Sequence, residues 1–362
     1  MKLPKVLCLS DNQFLPMKIL AVTNVYPTEQ RPTQGTFIEQ QVKGLRDIGL
    51  DVDVLMVDRA SLGYRAYLNL GARVRKEASV NRPALIHVMY GGVMAKTVVK
   101  AVTGFPVIVS FCGSDLQGEN LPGFLRKTAV TYGVWCSRFA ARHAHGVIVK
   151  SKNLWQALPA DMDKKRVRII PNGVDLNRFT PMDPNKCRQR LGWDPTRFHV
   201  LSPANARAPG KRFWLAQAAV REAQHAGIPA ELHRLEGVKH ADVPLWLNSS
   251  DCLLITSEHE GSPNIVKEAL ACSVPVVSLD VGDVSERIQG ISGCHICSAD
   301  PRDLATRLVA VKNGPRRVQS RIAMDCLSLN KVAERLLDFY DCVITDWTKS
   351  HQCLDRDGVK RA

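Results

Sequence analysis

Two glutamates eight residues apart, Glu260 and Glu268, stand in the stretch DCLLITSEHEGSPNIVKEALACSVPVVSLDVGDVSERIQG, residues 251–290. The apolar run at 252–256 predicts a buried strand, 264–272 a helix, and 274–279 a second buried strand. Pro263 directly precedes that helix, a position suited to the first helical turn. A strand-to-helix turn presents free backbone N–H groups at the positive end of a helix, where anions bind. Eight residues place Glu260 at the loop rim and Glu268 about two turns further on, within the helix. That spacing suits a ligand carrying both phosphates and sugar hydroxyls. It suits equally an ordinary corner of an α/β sheet with two solvated acids, and spacing alone leaves both readings open.

A second candidate lies upstream in NARAPGKR, where Arg207 and Lys211 occupy a loop between an expected strand and helix. Cations beside a helix N-terminus fit a diphosphate; an exposed basic loop is the plain alternative. GxxxxGK[ST] does not occur, which argues against a P-loop NTPase, and no GxGxxG follows a strand, which argues against a dinucleotide redox cofactor.

These residues need a frame. Strand, loop and helix alternate from Lys18 through DVDVLMVD, ALIHVMY and FPVIVSF, and the alternation restarts at HVLSPA after a polar, proline-bearing segment at 178–194. Such alternation predicts parallel sheets covered by helices, with ligands beyond the carboxyl ends of the strands. Those ends carry Gly35, the Gly91-Gly92 pair and Cys112-Gly113-Ser114-Asp115. The predicted domains are 1–172 and 173–330, divided at the PNG turn, with a helix at 331–348 that could return to the first domain. Residues 349–362 read as a polar tail and 1–16 as an appended leader before Met17.

The chain has 362 residues and a net charge of +14. Residues 1–170 hold 24 basic against 12 acidic side chains, so the positive charge belongs to the first half. An anionic partner is expected there. Between residues 59 and 76, arginines alternate with tyrosines and leucines, a pattern that fits either an anionic membrane interface or a solvated basic face. No nucleic-acid motif accompanies the charge. No apolar run approaches the roughly 20 residues of a membrane span. The 11 cysteines are odd in number and scattered, which fits a reduced cytosolic setting rather than a disulfide framework. Cys294 and Cys297 form a CxxC without a second pair at zinc-ribbon spacing, and read as buried thiols at a strand end.

EGSPNIVKEALACSVPVVSLDVGDVSE resembles the signature of retaining glycosyltransferases of family 4, with Glu260 and Glu268 as its Glu-x7-Glu pair. PNGVDLNRF, the GTF around Gly35 and SFCGSDL extend the resemblance over roughly residues 18–347. It implies a GT-B fold: two Rossmann-like domains with parallel sheets facing across a cleft, the second binding a sugar nucleotide. It implies that Glu268 holds the ribose and Glu260 the donor sugar near the reacting centre. The backbone through Gly261, Ser262, Pro263 and Asn264 would hold the sugar and the phosphates. Lys211, Arg207 and the Gly35 amide would neutralise the leaving diphosphate. Cys112 stands where many members carry histidine, and Asp115 is left to orient donor or acceptor, or to cap a helix. The expected activity is transfer from a nucleotide sugar, UDP-linked, to a glycan or lipid-linked acceptor in cell-surface polysaccharide assembly. No metal and no other cofactor are expected. The expected place is the cytoplasm, at the inner face of the plasma membrane. A sugar-nucleotide epimerase and a non-catalytic GT-B binding protein are the alternatives.

Overall fold

The computed structural model describes residues 16–119, 123–203 and 209–358. The chain forms two compact units. The first comprises 1–27, 37–171 and 330–362, and the second comprises 28–36 and 172–329.

Six parallel strands build the first sheet: β1 (Lys18–Thr23), β2 (Asp51–Met56), β3 (Leu85–Val88), β4 (Val107–Phe111), β5 (Gly146–Val149) and β6 (Val167–Ile169), in the order β2-β1-β3-β4-β5-β6. The central strands β3, β4 and β5 are buried at every position, as expected where helices cover both faces of a parallel sheet. On one face pack the helices Leu70–Asn81, Gly92–Ala101 and Phe124–His143 through Leu70, Val74, Met94, Val98 and Ala140. On the other lie the helix Thr36–Asp47 and the long helix Leu329–Gly358, which contributes Val332, Leu336, Phe339, Tyr340 and Val343. Gly146 makes that seating possible. A Cβ there would lie 2.8 Å from Val343 and 3.0 Å from Phe339.

The long helix is also tied by a buried polar contact. His87 on β3 bridges the Tyr340 hydroxyl (Nδ1, 2.6 Å) and the Ser110 hydroxyl (Nε2, 2.7 Å). Burial, helped by nearby Lys150, pushes the His87 pKa down to about 3. In the unfolded chain the ring takes a proton near pH 6.5. Between those values the unfolded state binds more protons, so stability rises with pH and is lost as pH falls through this window. The thermal midpoint is expected to drop as pH is lowered from 7 to 5, with a shallower slope in His87→Gln. An equal slope in that variant would remove His87 as the source.

Five parallel strands form the second sheet: β7 (Phe198–Pro203), β8 (Ala230–Leu235), β9 (Cys252–Ile255), β10 (Val276–Leu279) and β11 (His295–Cys297), in the order β11-β10-β9-β7-β8. The helices Phe213–His225, Asn264–Ala271 and Pro301–Asn313 complete its core.

Three sequence expectations need correction. The polar segment after Arg178 contains a helix, Pro184–Leu191, capped by the Asp183 carboxylate and ended by Gly192 at φ 70°. Its Arg188 is buried and paired with Asp251 at 2.6 Å. Residues 316–327, where the sequence predicts a helix, form only a short 3-10 helix over Ile322–Leu327, and the last helix continues past Trp347 to Gly358. Cys294 and Cys297 are free thiols; Cys297 is buried and Cys294 only partly so.

Candidate functional site

In the second unit residues 209–212, which follow β7 in the chain, meet the loops leaving β9 and β10. After β7, a 3-10 turn at Pro209–Lys211 is stitched to the end of β9. Thr256 donates its hydroxyl to the Lys211 carbonyl (3.0 Å), and Glu258 N–H donates to the Gly210 carbonyl (2.8 Å). Arg212, held at φ 46°, donates to the Thr256 and Ser257 carbonyls at 2.9 and 3.0 Å. The backbone of Lys211 is therefore fixed while its ammonium, one-third exposed, pairs with the Glu260 carboxylate. Sequence reading passed over Arg212, whose partners are carbonyls 44 and 45 residues away.

Below Glu260 the turn Gly261–Asn264 rests on a buried charged network. Ser262 donates to Asp283 (2.9 Å), and Lys267, fully buried, donates to Ser262 (2.9 Å) and to the Asn172 carbonyl (3.0 Å). Arg287 adds a second cation to Asp283 at 3.2 Å. Burial raises the Asp283 pKa, and Lys267 and Arg287 oppose the rise. Gly282 (φ 61°) closes the arrangement, since a Cβ there would sit 2.8 Å from the Gly261 carbonyl oxygen. The Ser262 hydroxyl thus faces inward as a scaffold group. Asn264, at the first turn of its helix, accepts from Asn172 at 3.3 Å. Pro263 is buried in the extended conformation just before that helix.

Glu268 lies on the same helix, 6% exposed, and takes a hydrogen bond from His240 Nε2 at 3.0 Å. Arg178 stands 3.0 Å from His240 Nδ1. A guanidinium only donates, so Nδ1 accepts and Nε2 carries the proton given to Glu268. Phe179 packs against the same ring at 5.5 Å. His240 was invisible in the sequence because it sits in an aperiodic loop 28 residues before its partner. Gly35, at φ 75°, belongs to segment 28–36, which groups with this unit. Arg207 lies outside the described residues.

In the first unit, Asp115 is 7% exposed and does not cap its own helix. Its carboxylate accepts N–H bonds from Gly91 (2.8 Å), Cys112 (2.9 Å) and Gly113 (2.8 Å). Burial raises its pKa and those amides counter the rise. Through these bonds the carboxylate ties the two strand-end loops together. Gly91 is forced by close packing, since a Cβ would come within 2.5 Å of the Ser137 hydroxyl. Burial pushes the Cys112 thiol up to about 12, so it stays neutral at physiological pH. Lys150 is buried beside Cys112 and Asp115, donates to Gln41 at 3.3 Å, and has its pKa lowered by burial.

Two parallel-sheet α/β units, the second presenting a cation–carboxylate pair and a helix N-terminus at its strand ends, have the GT-B fold. Residues 34–178 match the family model described as Glycosyltransferase Family 4, and residues 197–313 that described as Glycosyl transferases group 1. The chain belongs to glycosyltransferase family 4. It is 27% identical over 331 residues to Bacillus subtilis TuaC, a glycosyltransferase named for teichuronic acid biosynthesis, covering 74% of this chain and 82% of that one. D-inositol 3-phosphate glycosyltransferase 2 of Catenulispora acidiphila is 28% identical over 190 residues, 43% of this chain and 44% of the relative. The chain thus spans less than half the length of that relative. The Anabaena Alr3699/HepE structure in complex with UDP-glucose shares the fold, with a TM-score of 0.59, 17% identity, and coverage of 92% of this chain and all of that one.

Proposed function

We propose that the protein is a retaining glycosyltransferase that moves a sugar from a UDP-sugar to a glycan or lipid-linked acceptor in cell-surface polysaccharide synthesis. The observation that carries this reading is Lys211, locked by its backbone and paired with Glu260, just before the helix that carries Glu268. In the reaction the bond between anomeric carbon and phosphate oxygen breaks and its electrons pass to the diphosphate. Lys211 and the amides at the start of the helix Asn264–Ala271 stabilise the charge that builds there. The acceptor hydroxyl attacks the anomeric carbon from the same face and its proton passes to the departing phosphate oxygen. Glu268 holds the ribose hydroxyls in place of His240, and Glu260 orients the donor sugar. The relative named for teichuronic acid biosynthesis and the neighbour bound to UDP-glucose support acceptor class and donor.

The first unit carries the acceptor side in this reading. No described helix is long and apolar enough to cross a membrane. Phe124 and Leu125 are 79% and 82% exposed, next to Arg126 and Lys127, and Leu68 is 78% exposed close to Arg65. Exposed apolar side chains beside cations fit the surface of an anionic bilayer at the inner face of the plasma membrane.

A thermal-shift screen of nucleotide sugars, followed by transfer of label from the stabilising donor to bacterial lipid extract, tests the proposal. The expected result is a raised midpoint with a UDP-sugar and label in the lipid fraction, in the α configuration for an α-linked donor. Isomerised nucleotide sugar without acceptor would establish an epimerase instead. Binding with no turnover on any extract would establish a binding protein. Sedimentation with anionic but not neutral vesicles checks the membrane face.

A further inference from the structure

Near the amino-terminal ends of β7 and β8, with His233 at mid-strand, three metal-ligating side chains converge away from the loops that carry Lys211 and Glu260. His199 is the second residue of β7. Glu231 and His233 lie two apart on β8, so they share one face of that edge strand, and the parallel register pairs His199 with Glu231. His199 Nδ1 is 2.8 Å from His233 Nε2 and 4.0 Å from a Glu231 oxygen; His233 Nε2 is 3.8 Å from the other Glu231 oxygen. The three donor atoms all lie within 4.8 Å of one another. A tetrahedral zinc ion with bonds of about 2.0–2.1 Å sets its ligand atoms about 3.4 Å apart, close to the mean of these separations.

We propose that His199, Glu231 and His233 bind a zinc ion. The surroundings are arranged for it. His199 Nε2 is 2.7 Å from the Asp194 carbonyl, which can only accept, so Nε2 carries the proton and Nδ1 presents its lone pair to the cluster. That carbonyl is the outer partner that fixes a ligating imidazole. His233 stacks on Trp193 at 3.5 Å between centroids, 6° from parallel, so its ring plane is fixed as well. Binding requires His233 only to shift its proton from Nε2 to Nδ1. Arg188 is paired with Asp251 at 2.6 Å, and Asp251 also accepts the backbone N–H of His199 at 2.8 Å.

Two nitrogens and a carboxylate suit zinc among biological divalent cations, and leave a fourth position to water on the side of the half-exposed Glu231. Because the cluster stands toward the strand starts, the ion would not meet a donor at the strand ends. It clips the edge strand β8 to β7 and to the Trp193–Asp194 turn. This inference does not depend on the transferase reading.

The full chain, stripped with a chelator and dialysed, is titrated with zinc calorimetrically. One equivalent is expected to bind, and Glu231→Gln and His233→Gln each to weaken binding at least about tenfold. Glu231 is exposed enough that its variant keeps the fold, which circular dichroism confirms. Cobalt in place of zinc is expected to show ligand-field bands without thiolate charge transfer, and to quench emission that is lost in Trp193→Phe. No binding, equal binding by both variants, or thiolate charge-transfer bands pointing to cysteines would each overturn the proposal.

Discussion

Lys211→Ala is expected to lower kcat about 10²–10³-fold, some 3–4 kcal/mol of transition-state stabilisation, while donor affinity falls far less. The split follows from where the charge appears. The donor already carries its diphosphate in the ground state, but the negative charge on the leaving oxygen grows only as the glycosidic bond breaks. An ammonium fixed beside that oxygen gains most in the transition state. The Lys211 backbone is anchored to Thr256 by a 3.0 Å hydrogen bond, so the side chain is presented without reorganisation. Glu260→Gln is expected to abolish transfer and leave the fold intact. Both side chains are partly exposed, 33% and 15%, so losing their mutual ion pair costs about 0–1 kcal/mol of stability. The double variant should be little worse than either single one, because the pair acts as a unit. Single-turnover rates and donor Kd, measured with thermal midpoints, check this. Full activity of Glu260→Gln would sink the assignment of the site.

How much of this could be read from the sequence depends on how local each cause is. The parallel strands were legible because VIVSF and GVIV are continuous apolar runs, and burial on both faces demands that composition. The turn at 260–264 was legible because Pro263 marks the helix start and the acids flank it. Side-chain direction was not. The resemblance implies a backbone contact at Ser262, and nothing in the spacing says that its hydroxyl is taken by Asp283, 21 residues away. Asp115 reads as a cap or a ligand group, but one of its partners is Gly91 on the neighbouring strand's loop. The helix Pro184–Leu191 hid behind its polarity: PNKCRQRL buries only Cys187 and Arg188, so no apolar periodicity announces it. Asp183-Pro184 and Gly192 were the available signal, a cap at each end. The last helix overran its expected end because nothing between Trp347 and Gly358 breaks it; polarity alone does not stop a helix. The His199–Glu231–His233 cluster was missed for the opposite reason. Glu231 and His233 are visible as a same-face pair, but His199 joins them only through strand pairing.

Lys267→Met is expected to be the most damaging single change to the second unit's stability. The ammonium is fully buried, and its removal leaves the Asn172 carbonyl and Ser262 each short of a donor, with Asp283 short of a neighbouring positive charge. Breaking a buried charged network from one side costs about 3–5 kcal/mol, since the remaining charge stays desolvated. Arg287 still reaches Asp283 at 3.2 Å, which places the cost toward the lower end and lowers the thermal midpoint by roughly 10 °C. Adding Asp283→Asn should recover part of the loss, because the orphaned charge is then gone and Ser262 keeps a carbonyl-type acceptor. The same change tests how the site is held. Gly282 packs its Cα against the Gly261 carbonyl, and Ser262 is pinned from both sides, so the turn beneath Glu260 has one position only while Lys267 is present. With the lysine gone the turn gains freedom, and donor affinity should weaken even well below the new midpoint. Differential scanning calorimetry with and without nucleotide sugar reads both effects. A midpoint within about 1 °C of the parent chain, with donor affinity unchanged, would show that the turn is held by packing at Gly282 alone.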